Sequence, residues 1–217
     1  MTYRTTPLTD ELRDYLLAHS TPPDELARDL IAETQASVPD RASMQVAPEQ
    51  ARLLTLLTRI CGARYAVEVG TFTGFSALAI ARGLPADGKL ICCDVSEEYT
   101  AIARRYWARA GVDDRIELRL GPAADTLRAM PAEPHVDLAF IDANKTGYLT
   151  YWSELVPRVR SGGVVLVDNV LWKGRVLAPE SPDDHAVVEF NKHVVADDRV
   201  ELVILPIGDG MTLARKK

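Results

Sequence analysis

The chain has 217 residues, 47% of them hydrophobic and 26% charged, with a formal net charge of −6. That length and composition describe one domain with a full-sized core, and the negative charge with scattered basic residues argues against a nucleic-acid partner. No apolar run reaches the ~18 residues that cross a bilayer, so no membrane association is expected. The opening MTYRTTPLTDEL lacks the basic-then-apolar pattern of a leader, and a soluble cytoplasmic protein is expected.

The first sixty residues read as helices. TDELRDYLLAHS has an amphipathic period. In TPPDELARDLIAETQAS, Thr21 and Asp24 stand at capping-box spacing, with Pro22 and Pro23 in the tolerated first helical positions. PEQARLLTLLTRICGA starts a third helix at Pro48 and stops near Gly62. From Tyr65 the pattern alternates. The strands YAVEVG, KLICCDV, RIELRLG, VDLAFIDA and GGVVLVDNV alternate with the helical stretches SALAIARGL, SEEYTAIARRYWARAG, AADTLRAM, GYLTYWSELVPRV and DHAVVEFNKHVVAD. Strands apolar throughout and separated by helices imply a parallel sheet covered on both faces. RVELVILPIGDGMTLARKK then reads as strand, Gly-Asp-Gly turn, strand, an antiparallel pair with no room for a helix. The expectation is a single domain over 1–217, with N-terminal helices over 1–60 and an α/β core over 64–217. Of the three cysteines, Cys92 and Cys93 are adjacent inside a strand, which suits buried hydrophobes and not a disulfide framework.

Four features point to chemistry. EVGTFTGFS, Glu68 to Ser76, turns the first strand into a helix, and Gly70 and Gly74 allow a ligand to approach the backbone at that helix start. Its G-x-x-x-G spacing is not the dinucleotide fingerprint; a plain tight turn is the alternative. Asp94 ends the second strand, where an acid can take the ribose hydroxyls of a nucleoside ligand or cap the helix starting near Ser96. Asp142 ends the fourth strand, and Asp168 and Asn169 end the fifth. If those strands are neighbours, three oxygens converge, a hard donor set for Mg2+ or Mn2+ that leaves about three octahedral positions open. The alternative makes Asp142 a helix cap and Asp168-Asn169 a turn. Lys145 is either a solvated loop residue or, beside a cation that disfavours its ammonium, a base toward a substrate hydroxyl. Trp172 either walls an aromatic pocket or fills core. The four histidines show no metal spacing, and His185 and His193 belong to the exposed side of the last helix.

EVGTFTGFSAL, CCDVSEEY, GPAADTL, FIDANKTGYLTYW, VDNVLWKGRV and LPIGDGMTLARK occur in an order and spacing, from about Met44 to Lys217, that resemble the cation-dependent O-methyltransferases of the caffeoyl-CoA and catechol type. The resemblance implies a class I, Rossmann-like α/β fold with a seven-stranded mostly parallel sheet and a C-terminal antiparallel hairpin. It implies S-adenosylmethionine (SAM) as methyl donor, Mg2+ (or Mn2+ or Ca2+) as metal, and a homodimer. Glu68, Gly70, Thr71 and Ser76 would bind the methionine end and Asp94 the ribose. Ala123 would lie by the adenine, Met44 and Val46 would cover the donor, and Tyr151 and Asp142 would contact it. Asp142, Asp168 and Asn169 match the metal ligands, and Lys145 matches the lysine that deprotonates the accepting hydroxyl, with Asp142 beside it. Asn144, Lys145, Trp172 and Lys173 would face the acceptor. Asn144 stands where plant caffeoyl-CoA enzymes often carry an acid. The segment Val170–Val187 is shorter than theirs and lacks the basic insertion that helps bind the thioester, which favours a free catechol. The expected activity is therefore O-methylation of a vicinal dihydroxy aromatic, with a caffeoyl-CoA-type thioester as the alternative acceptor. A nicotinamide oxidoreductase and a non-catalytic donor-binding protein are the competing classes; the missing pyrophosphate fingerprint weighs against the first, the complete Asp142, Lys145, Asp168 and Asn169 set against the second.

Overall fold

The computed structural model describes residues 6–217. The leader-free reading of the N-terminus rests partly on residues 1–5, which lie outside that range. Three helices come first: α1 (Asp10–Ala18), α2 (Glu25–Ser37) and α3 (Pro48–Ile60), with a 3-10 turn over Pro39–Met44. The start of α2 differs from the expected one. Asp24 caps it, accepting from the Ala27 amide at 2.9 Å, while Thr21, Pro22 and Pro23 precede the helix. A residue before proline is driven out of the α region, so the Pro-Pro pair delays the helix until Asp24.

The alternating part follows the expected order: β1 (Tyr65–Val69), α4 (Phe75–Gly83), β2 (Lys89–Asp94), α5 (Glu97–Arg109), β3 (Ile116–Leu120), α6 (Ala123–Arg128), β4 (Val136–Ile141), α7 (Tyr148–Arg158), β5 (Val159–Val167), α8 (Pro182–Val195), β6 (Val200–Leu205) and β7 (Met211–Lys216). The seven strands are ordered β3-β2-β1-β4-β5-β7-β6. The first five are parallel, and β7 pairs antiparallel with both β5 and β6. All six residues of β4 are buried, as a central strand covered on both faces requires. One apolar cluster joins α2, α3, α4 and α5 to one sheet face, and a second joins α6, α7 and α8 to the other. All three cysteines are free thiols, with Cys92 and Cys93 buried. Among the described residues no helix is long and apolar enough to cross a membrane.

Strand order reverses between β1 and β4, and ligands of open parallel sheets bind at such a switch point beyond the strands' carboxyl ends. The two ends meet there: the Asp142 amide donates to the Val69 carbonyl at 2.9 Å. Strands β4 and β5 are neighbours, with Ile141 opposite Val167, so Asp142 and Asp168 leave the sheet side by side.

Candidate active site

The turn after β1 is held open by its own backbone. Gly70 has φ +92°, and a Cβ on it would sit 1.9 Å from the Asp142 carbonyl oxygen. Only glycine fits that contact. Gly74, at φ +84°, starts α4. Asp94 Oδ2 accepts from the amides of Thr71 (2.9 Å) and Phe72 (2.8 Å), and Oδ1 from that of Ser96 (2.8 Å). The cap of α5 is Ser96, not Asp94. Three amides fill most of a carboxylate's roughly four acceptor positions, so Asp94 organises the turn and retains about one free. Glu68, wholly buried in β1, has both oxygens without a hydrogen-bond partner, as does the buried Thr71 hydroxyl. Burial pushes the Glu68 carboxyl up to about 7. An orphaned carboxylate this deep is expensive unless a ligand donor meets it. Ser76 is buried in the first turn of α4, and Ala123 is the first residue of α6. Val46 is buried and Met44 half exposed, and between them Gln45 donates through Nε2 to the Thr73 hydroxyl at 3.1 Å. That bond ties the Met44–Val46 segment to the glycine turn.

The second cluster gathers at the ends of β4 and β5. Lys145 is 7% exposed, which excludes the solvated-lysine reading. Its ammonium donates to Tyr148 Oη (2.5 Å), Asn169 Oδ1 (2.7 Å) and Asp142 Oδ1 (3.3 Å). Asp168 is 2% exposed and accepts at Oδ1 from Gln50 Nε2 (3.0 Å) and from the Asn169 amide (2.7 Å). Asn169 has φ +58°, a left-handed conformation that asparagine tolerates and that turns its side chain onto Lys145. Asp142 caps no helix: the short turn Lys145–Gly147 begins after Asn144 without a side-chain cap. Burial raises Asp142, with the Lys145 charge opposing. Burial and then the charge of Asp142 raise Asp168. Two carboxylates face one ammonium, so the site is short of positive charge. Among the described residues no group of three or more His, Cys, Asp or Glu side chains is placed for a metal; the third oxygen here is an amide. This donor set is hard oxygen throughout and fits a divalent cation of the Mg2+ kind.

Trp172 is half-buried outside both apolar clusters, so it does not fill core. It lies in a kinked segment, with φ +49° at Trp172 and +53° at Lys173. Its indole donates to Asp184 Oδ1 at 2.7 Å, and the Lys145 ammonium lies 5.2 Å from its ring centre. Lys173 is exposed; its backbone amide donates to Asp209 Oδ1 at 2.6 Å. Asn144 is exposed and accepts from the Tyr151 hydroxyl at 2.7 Å, which joins two residues expected on different ligands. Sequence reasoning missed Gln50, Tyr148, Asp184 and Asp209. Tyr148, fully buried, accepts from Lys145 and donates to the Asp168 carbonyl at 2.9 Å. Its i+3 spacing from Lys145 was the available signal. Gln50 had none beyond its place at the start of α3.

The sequence profile of a family described as O-methyltransferase matches residues 18–217. A Dictyostelium discoideum protein named probable caffeoyl-CoA O-methyltransferase 2 is 37% identical over 213 residues, covering 95% of this chain and 92% of that one. The caffeoyl-CoA O-methyltransferase of Medicago sativa is 34% identical, covering 96% and 89%. The crystal structure of the O-methyltransferase TomG from Streptomyces achromogenes, involved in tomaymycin synthesis and solved with SAM, superposes with a TM-score of 0.85 at 30% identity, covering 97% of this chain and 100% of that one.

Proposed function

Because the chain belongs to the O-methyltransferase family and is a SAM-dependent enzyme of it, we propose that it methylates one hydroxyl of a vicinal dihydroxyphenyl ring carried on a caffeoyl-CoA-type thioester, with a divalent metal. The observation that carries the reading is the convergence of Asp142, Asp168, Asn169 and Lys145 beside Gly70. The thioester is favoured over the free catechol expected from sequence by the names of both relatives. A free catechol is the second reading, favoured by the short segment after β5.

On this reading Glu68 meets the donor's ammonium, which supplies the partner its oxygens lack. Gly70, Thr71 and Ser76 line the methionine end, Asp94 offers its remaining lone pair to the ribose, and Ala123 borders the adenine. Met44 and Val46 cover the donor, tied down through Gln45, and Tyr151 meets it while its hydroxyl donates to Asn144 on the acceptor side. Asp142, Asp168 and Asn169 would hold the metal, which when bound supplies Lewis acidity and a template for two adjacent ring oxygens. Lys145 holds the acceptor's proton at Nζ and is fixed by Tyr148. Trp172 walls the ring, and Lys173 lies at the mouth. The methyl passes from sulfonium to phenolate, so charge is neutralised, and the protein contributes chiefly proximity and orientation.

The test compares kcat/KM for caffeoyl-CoA, caffeate and catechol, with products identified by mass spectrometry. The highest value for the thioester is expected. A thioester turned over no better than catechol would transfer the assignment to the second reading.

A further inference from the structure

Gln50 is only 4% exposed, although it lies in the first turn of a peripheral helix. One half of its amide acts locally, where Oε1 accepts from the Ala47 amide at 2.9 Å and closes the start of α3. The other half reaches across the fold. Nε2 donates at 3.0 Å to Asp168 Oδ1, a residue 118 positions away. The same oxygen accepts the Asn169 amide. Asp168 Oδ1 thus carries two donors, while Oδ2 accepts none among the described residues.

The turn between β6 and β7 completes the arrangement. Gly208 has φ +58°, and a Cβ there would lie 2.5 Å from Gln50 Nε2 and 2.9 Å from Oε1. The glycine is the floor on which the amide rests. The neighbouring residues hold the other side of Asp168: the Val170 amide donates to the Gly210 carbonyl and the Leu171 amide to the Asp209 carbonyl, each at 3.0 Å. The Gly-Asp-Gly motif therefore does more than reverse the chain; it seats both Gln50 and the loop that follows Asp168.

We infer that Gln50, held between the start of α3 and Gly208, is a positioning residue that pins Oδ1 of Asp168 and presents Oδ2 to the metal. This rests on the metal reading proposed above and deepens it. A carboxylate can turn about its last bond, and a neutral amide donor removes that freedom without adding charge. Such partners of a ligand typically change metal affinity by about ten- to a hundredfold.

The experiment measures Mn2+ binding to the purified full chain by electron paramagnetic resonance, with no acceptor present, and S-adenosylhomocysteine binding by calorimetry. Thermal melting confirms that each variant is folded. Gln50→Met keeps the volume and loses the N–H; it should weaken Mn2+ binding by about ten- to a hundredfold and leave S-adenosylhomocysteine affinity unchanged. Gly208→Ala, which pushes the amide aside, should show the same selective loss. Gln50→Met that binds Mn2+ like the wild type overturns the inference and leaves the metal reading intact. So does a parallel fall in both affinities, the mark of a packing role. A wild-type chain that binds no Mn2+, or an Asp168→Ala variant that binds it equally well, overturns both.

Discussion

After β1 the chain shapes its ligand turn with backbone: two glycines at positive φ and three amides gathered on Asp94. After β4 and β5 it shapes the facing site with side chains, drawn from α3, two strand ends and the start of α7. The first is almost self-contained in residues 68–96. The second joins residues as far apart as Gln50 and Asp168. A backbone turn tolerates little but glycine at its close contacts, which on the proposed reading suits a donor of fixed shape. A side-chain cluster can be altered one group at a time, which on the proposed reading suits an acceptor site.

Substitutions that separate the two halves test this contrast. The largest expected effect is that of Asp168→Ala, which should cut methyl transfer by about a thousandfold, the rate equivalent of several kcal/mol of lost charge stabilisation. Calorimetry should show donor binding intact; donor loss in step with activity would mean the halves are one unit. Lys145→Ala should follow, lowering kcat by about a hundredfold with little change in donor affinity. Stopped-flow turnover across pH checks this, and an unaltered profile removes its proton-holding role.

Gly70→Ala probes the seam. The added Cβ overlaps the Asp142 carbonyl, so both halves should suffer, with a stability loss of about 2–4 kcal/mol from backbone strain and overpacking. Denaturant melts measure it, and a neutral result would show the turn relaxing away from β4. The smallest effect concerns pH. The Glu68 carboxyl is raised to about 7 by burial. Its ionisation costs the ligand-free fold stability as pH rises from the unfolded value of about 4.3 through that range. On the proposed reading, the donor's ammonium needs the ionised form. Donor affinity should therefore fall as pH drops below about 7, by up to about tenfold per unit. Glu68→Gln should flatten the profile, and a flat wild-type profile would detach Glu68 from the ammonium.

The contrast also explains what the sequence made legible. The strand and helix order was readable because apolar strands and amphipathic helices carry it locally, and the hairpin because no helix fits between its strands. Asp142, Asp168 and Asn169 were readable as strand-end residues, and their convergence needed only the adjacency of β4 and β5. Gln50 and Asp184 were not readable, because each looks like an ordinary residue in the first turn of a helix. Their second hydrogen bonds, to Asp168 and Trp172, exist only once the chain has folded. The start of α2 was misplaced because two successive prolines outweighed the spacing of Thr21 and Asp24.

On the reading proposed here, the side-chain cluster is a metal-dependent acceptor site for adjacent hydroxyls. The decisive measurement is methyl transfer from SAM to caffeoyl-CoA and to its monohydroxy counterpart, p-coumaroyl-CoA, with Mg2+, with EDTA, and with Mg2+ restored. Product is expected from the diol alone, abolished by EDTA and recovered on restoring the metal. Methylation that persists in EDTA, or that reaches the monophenol equally, would contradict that role for the cluster.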